Sequence, residues 1–187
     1  MKKGSIVGLV VLGIVIVLGI FMVSNYNTMK VARENVDTKA ADIDTYLVRR
    51  ADLIPNLVST VKGYAQHEEK VISDITTARE NLVNAKSLQE KADADASLTS
   101  AINALMVVVE NYPDLKANTN FINLQDELAG TENRIATARR GYNEAVKSYN
   151  SLIIKFPNNI VASMFNLTKA DYFKADSSKT EVPNVEF

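Results

Sequence analysis

The stretch Asn120–Phe156, NFINLQDELAGTENRIATARRGYNEAVKSYNSLIIKF, places Phe121, Leu128, Ile135, Tyr142, Tyr149 and Phe156 at a strict seven-residue repeat. Three places after each of the first five stand Leu124, Thr131, Ala138, Ala145 and Leu152. Side chains recurring at positions a and d of a heptad form one stripe along a helix, and that stripe imposes left-handed packing on its neighbours. The spacing predicts a long helix with partners along its seam. Gly130 and Gly141 lie inside it and cost about 1 kcal/mol each against Ala. The packed stripe overrides them.

Upstream, Val36, Ala40, Ile43, Leu47, Ile54, Leu57, Val61, Val71, Ile75 and Leu82 keep a three/four spacing. Pro55 interrupts this run, because it lacks a backbone donor and pushes Ile54 away from helical geometry. Either one long helix kinks there or two helices meet in a turn. Asp52 is a fair N-cap for a second helix, which favours the turn. A third helix fits Leu88–Tyr112, with Leu98, Ile102, Leu105, Val109 and Tyr112 on one face and Pro113 ending it. The expected fold is all-α: an elongated up-down antiparallel four-helix bundle over residues 25–157. Its turns Arg49–Asn56 and Asn111–Asn118 then meet at one end, and Tyr149–Phe156 comes near Tyr26–Lys30 at the other. Pro157 stops the bundle. Residues 158–187 are expected to form a short amphipathic helix (Ile160, Val161, Met164, Phe165), resting on the bundle or on lipid, and then an extended or mobile tail with Pro183.

Bulk composition hides a division. Of 187 residues 47% are hydrophobic and 23% charged, with a net charge of −1. Ile6–Val23, however, contains 15 large apolar residues, three Gly and no charge. At 1.5 Å per residue such a helix roughly matches a hydrocarbon core of about 30 Å. It is longer than a signal-peptide core, and Phe21–Tyr26 offers no small-x-small cleavage site. Residues 1–4 are therefore expected to be a short tail and residues 5–24 an uncleaved transmembrane helix in the lipid bilayer, with Tyr26 at the interface. Lys2 and Lys3 flank one side; Lys30, Arg33 and Lys39 flank the other. The two-lysine start favours a cytoplasmic N-terminus and a bundle outside. Few Gly, Pro and aromatic residues argue against a β-sandwich or barrel. The absence of Cys excludes disulfides, thiolate metal sites and a cysteine nucleophile.

The remaining chemistry is sparse. His67 is the one histidine, so no His pair can hold zinc, and a di-iron Glu-x-x-His motif fails because Tyr64 stands three places before it. No metal or cofactor is expected. Asp93-Ala94-Asp95 alternates like a calcium loop but lacks its Gly and terminal Glu, and reads as solvated helix surface. Glu132 and Arg139 flank the heptad seam, where charged residues form interhelical pairs. With Glu68 they make a candidate polar seam. No phosphate loop, nucleophile–base arrangement or basic nucleic-acid stripe is present. At the expected tip, Arg49, Arg50, Asp52 and Asn56 would face Tyr112, Lys116 and Asn118. Turn geometry alone explains many of these residues. The two adjacent arginines beside a Tyr are a candidate docking patch for a protein partner.

Several motifs in order resemble the bacterial LemA family: Arg49-Arg50-Ala51-Asp52-Leu53-Ile54-Pro55-Asn56-Leu57-Val58, Gly63-Tyr64-Ala65, His67-Glu68, and Tyr112-Pro113-Asp114-Leu115-Lys116-Ala117-Asn118. Thr131-Glu132-Asn133-Arg134-Ile135-Ala136 with Arg139, Tyr142-Asn143, Tyr149-Asn150 and Phe156-Pro157 extend the match to about Phe173. The resemblance implies a four-helix bundle anchored in a bacterial cytoplasmic membrane, without a known biochemical activity. Ala40 stands where many relatives carry Trp, and Asn166 stands where a Gly is expected; Asn also tolerates a left-handed conformation.

The leading expectation is a non-enzymatic, membrane-tethered scaffold that docks a partner or self-associates. One alternative is a membrane-remodelling or filament-forming homo-oligomer. Another is an enzyme or accessory subunit for envelope substrates, which needs Glu68, Glu132 and Arg139 to converge.

Overall fold

A computed structural model describes residues 3–65 and 67–174, with side chains from Ile6 onward. The expected tail beyond Lys174, with Pro183, and the first two residues lie outside the described part. The elements are α1 (Lys3–Lys62), α2 (Glu69–Asn84), α3 (Leu88–Val109), α4 (Pro113–Lys116), α5 (Thr119–Ile154) and α6 (Asn158–Met164). There is no strand among the described residues. The chain divides into two compact units. One holds the described residues up to Lys39 with Tyr142–Tyr172, and the other holds Ala40–Gly141 with Phe173.

The second unit is the helical bundle. Ile43, Leu47, Ile54 and Leu57 of α1 are buried, as are Ile75 and Leu82 of α2, Leu98 and Leu105 of α3, and Phe121, Leu128 and Ile135 of α5. Polar contacts between these helices fix their directions. Asp44 and Arg50 of α1 meet Lys91 and Asp95 of α3, so these two helices run the same way. Arg79 of α2 meets Ala51, and Glu127 and Asn118 meet Arg49 and Tyr64, so α2 and α5 run opposite to α1. The order is up-down-up-down, as the periodicities require.

Pro55 forms no turn. It lies inside α1, which continues to Lys62. A proline removes the N–H that would bond the carbonyl four residues earlier, here that of Ala51. Arg79 Nε supplies the missing donor, bonding the Ala51 carbonyl oxygen at 2.9 Å. Asp52 is consequently an exposed mid-helix residue and not a cap. The first reversal falls later, between Lys62 at the end of α1 and Glu69 at the start of α2. There Tyr64 N–H and Ala65 N–H bond the Val61 carbonyl, and a Cβ on Gly63 would lie 3.3 Å from the Thr60 oxygen.

The α2–α3 reversal is set by a capping box. Ser87 Oγ accepts from Glu90 N–H at 3.1 Å, and the Glu90 carboxylate accepts from the N–H groups of Ser87 and Lys86. These two backbone donors hold the Glu90 carboxyl below its ordinary value. The α3 helix is long and apolar enough to cross a membrane, but Leu98, Ile102, Leu105 and Val109 are spent on the bundle core.

In the first unit, the apolar side chains of α1 between Ile6 and Val23 are exposed, and this segment is long and apolar enough to span a bilayer. Burial begins at Met29 and Val36, and continues on α5 with Tyr142, Ala145, Val146, Tyr149 and Ile153. The heptad stripe thus ends at Tyr149 and shifts to Ile153. Phe156, expected to close the seam, is exposed because α5 stops at Ile154 and the chain turns before α6. The α6 helix buries Val161 and Ala162. Asn166 then takes φ 52°, the left-handed conformation that Asn accommodates.

Part of the expected mobile tail is fixed. The Asn150 side chain bonds both backbone groups of Ala170, at 2.9 and 2.8 Å. The Tyr149 hydroxyl donates to the Thr168 carbonyl and the Tyr142 hydroxyl to that of Asp171, each at 2.9 Å. Burial pushes the Tyr142 hydroxyl's pKa up. Tyr142, Tyr149 and Asn150 of the Tyr-Asn motifs are therefore the rungs that hold residues 168–171.

Candidate functional site

Two polar constellations emerge in the bundle unit. The first is a buried charge brace. Arg50 is only 3% exposed and Asp95 only 1%. Arg50 Nη1 lies 2.6 Å from Asp95 Oδ1, and Arg139 Nη2 lies 2.5 Å from Asp95 Oδ2. One carboxylate therefore binds a guanidinium on each of its oxygens, joining α1, α3 and α5. Glu132 Oε2 also lies 2.6 Å from Arg50 Nη1, as a contact of opposite charges without hydrogen-bond geometry. The Arg139 guanidinium stacks over Phe173, 4.6 Å from the ring centre. Two positive and two negative groups leave the brace neutral.

A buried ion pair gains its Coulomb attraction in low dielectric but first loses the hydration of both charges. The brace satisfies Asp95 on both oxygens, whereas Arg50 Nε and Arg139 Nε have no hydrogen-bond partner among the described residues. The arrangement fixes the register of three helices. It leaves Asp95 no oxygen without a guanidinium partner.

The second constellation lies at the bundle end made by the α1–α2 and α3–α5 connections. Tyr112 OH donates to Glu68 Oε1 at 3.0 Å, and Asn118 Nδ2 donates to Tyr64 OH at 2.8 Å. The Glu68 carboxylate, as acceptor, raises the Tyr112 pKa above its ordinary value. Asn118 Oδ1 also accepts from Phe121 N–H, capping α5. Leu115 of α4 is fully buried and pins the connection, while Lys116 pairs with Glu110 at 2.6 Å on its outer side.

These contacts redistribute the residues expected at the tip. Tyr112, Lys116 and Asn118 do lie at a bundle end, but there Tyr112 meets Glu68, Asn118 meets Tyr64 and Lys116 pairs with Glu110. Arg49, Arg50, Asp52 and Asn56 lie within α1 instead, because the helix runs through Pro55. Arg49 forms a surface pair with Glu127 at 2.9 Å. Asp52 and Asn56 are exposed on the helix. The candidate polar seam is likewise divided: Glu132 and Arg139 join the brace, and Glu68 belongs to the bundle end. Asp95 is the residue that sequence reasoning missed, since Asp93-Ala94-Asp95 was expected to be solvated throughout and Asp95 is buried.

His67 is exposed, and among the described residues no group of three His, Asp or Glu side chains is placed to hold a metal ion. A groove of about 260 Å³ lies beside Asp44, Ala51, Arg79, Leu82 and Lys91. Asp44 Oδ2 pairs with Lys91 at 2.7 Å and Arg79 is engaged with the Ala51 carbonyl, while Asp44 Oδ1 has no hydrogen-bond partner among the described residues.

A model of the LemA family matches residues 39–187 of the chain. The magnetosome proteins MamQ 1 and MamQ 2 of Paramagnetospirillum magneticum (strain ATCC 700264 / AMB-1) are each 26% identical to it, over 92% of this chain and 74% of their own length. Protein LemA of Metamycoplasma hominis is 27% identical, over 88% of this chain and 77% of its own. The family match takes in the brace, the bundle end and the Tyr-Asn rungs, and with most of the sequence inside it the chain belongs to the LemA family.

Proposed function

We propose that the protein is a non-catalytic, membrane-tethered scaffold of the bacterial envelope, which docks a protein partner through the bundle end built from Tyr64, Glu68, Tyr112, Lys116 and Asn118. Residues 5–24 anchor it in the cytoplasmic membrane by a single pass, with the bundle on the extracytoplasmic side. The observation that carries this reading is how the polar side chains are spent. Inside the bundle, Arg50, Asp95, Glu132 and Arg139 bind one another. At the bundle end, hydrogen-bonded connections hold Tyr64 in place while leaving it 44% exposed. A fixed, half-exposed aromatic ring is a favourable binding element, because little side-chain entropy remains to be lost.

The test uses the full chain in its own membranes, with a photo-crosslinking residue at Lys116 or, as control, at the exposed Val107 of α3. A discrete adduct from position 116, absent at 107 and lost in Tyr64→Ala with unchanged helicity, supports the reading. Identical adducts from both positions, or an adduct indifferent to Tyr64→Ala, overturn it.

A further inference from the structure

We propose that the segment Phe156–Phe165 is a second membrane contact, an interfacial foot that seats in the headgroup region beside the apolar span. This rests on the reading that Ile6–Val23 is inserted in a bilayer. Beyond α5, Phe156 is 81% exposed, Ile160 52%, Met164 60% and Phe165 47%. These are large apolar side chains turned outward from a segment that is otherwise held: Val161 and Ala162 are buried on the inner side of α6. The segment therefore carries apolar residues on both sides: Val161 and Ala162 are covered by protein, whereas Phe156, Ile160, Met164 and Phe165 stay 47–81% exposed.

Continuity identifies the occupant. The Phe165 ring lies 4.5 Å, centre to centre, from the ring of Tyr26, three residues beyond Val23 at the end of the exposed apolar segment. The outward face thus adjoins the last turn of the span, where a tyrosine marks the membrane–water boundary. Its charge also suits lipid. From Ala145 to Ala170 the chain carries Lys147, Lys155 and Lys169 and no Asp or Glu, and Lys30 lies 6.0 Å from the Tyr26 ring centre. An apolar face accompanied by lysines is the pattern of an element lying in the plane of an anionic membrane, sunk roughly 5–10 Å into the headgroup–acyl boundary.

The experiment reconstitutes the full chain into vesicles of phosphatidylcholine and phosphatidylglycerol. Single-cysteine variants Ile160→Cys, Val15→Cys and Val107→Cys carry an environment-sensitive fluorophore, with no native thiol to interfere. Quenching by lipids brominated near the top of the acyl chain should be strong at 160, while 107 stays unquenched. Val15→Cys should be quenched by bromines deeper in the chain. Quenching at 160 should weaken in pure phosphatidylcholine and in Lys155→Glu. If 15 is quenched and 160 behaves like 107, the foot is wrong and the anchor stands. If neither 15 nor 160 is quenched, the anchor reading fails and the foot fails with it. Disulfide-linked dimers of Ile160→Cys without lipid quenching assign the face to a second copy of the chain and overturn the proposal.

Discussion

Deleting the Asp95 carboxylate leaves Arg50 buried among apolar side chains with only the angularly poor Glu132 contact. Removing one partner of a buried pair costs about 3–5 kcal/mol, because the remaining charge is unpaired and unhydrated. Asp95→Ala is therefore expected to lower the unfolding free energy of the full chain by that amount, read as a lower urea midpoint at unchanged slope. Arg50→Met combined with Asp95→Leu should recover most of the loss, since it removes the two most buried charges together and leaves Glu132 and Arg139, which are 41% and 26% exposed. A second residue-scale prediction concerns Asn150. Asn150→Ala deprives the Ala170 N–H and C=O of their partners, at about 1–3 kcal/mol for each group left unsatisfied. The Ala170 amide should then exchange with solvent far faster, and an unchanged exchange rate would contradict the rung. Both buried charges stood in legible places. Arg50 occupies the seven-residue series Val36, Ile43, Leu57, and Asp95 precedes Ile102 and Val109 at the same interval. Residue type outweighed position when Asp95 was expected to be solvated, and a charge at a core register is the signal that corrects it.

At the scale of elements, periodicity located the helices well and their punctuation less well. The α5 helix was legible almost end to end because its stripe is packed over most of its length, and α3 because Leu98, Ile102, Leu105 and Val109 share one buried face, whereas the capping box of Ser87 and Glu90 that starts it went unread. Pro55 misled because local rules count only the helix's own ladder. The donor that replaces the missing N–H comes from Arg79, 28 residues after Ala51, and nothing near Pro55 announces it. The two residues should be coupled. Arg79→Ala leaves the Ala51 carbonyl without a partner, at about 1–3 kcal/mol. In a Pro55→Ala background the helix supplies its own N–H, so the same change should cost measurably less. A double-mutant cycle reads the difference directly, and equal costs in both backgrounds would rule out the proposed substitution of donors. The α3 cap makes a pH prediction. The folded Glu90 pKa is below the ordinary 4.5 because the backbone N–H groups of Ser87 and Lys86 favour the carboxylate. Its contribution is present above that ordinary value and lost as pH falls through the lower folded one. Glu90→Gln should flatten the decline of stability with pH below 4.5, and an unaltered acid limb would remove the cap from the account.

For the whole molecule, the remaining question of function is which side of the membrane the family's bundle occupies. Basic residues near a span set its orientation, whereas acidic ones count little. Lys2 and Lys3 precede the apolar segment, and Lys30, Arg33 and Lys39 follow it, so a simple count does not favour an exported bundle. Two features reduce the weight of the second group. Arg33 pairs with Asp37 at 3.3 Å and lies 5.8 Å from the Tyr149 ring centre, and Lys30 lies 6.0 Å from that of Tyr26. These cations are engaged by the folded protein next to the span, whereas the lysines before it are adjacent to the start of the apolar run. The expected outcome is export of the bundle. Because the chain has no cysteine, Lys30→Cys presents one thiol on an exposed position of α1. A membrane-impermeant maleimide should label it in intact cells to the same extent as after lysis, and Val15→Cys should stay unlabelled in intact cells. Labelling of Lys30→Cys only after lysis would place the bundle in the cytoplasm. The search for its partner would then move to the cytoplasmic side, while the brace and the Tyr-Asn rungs would remain as described.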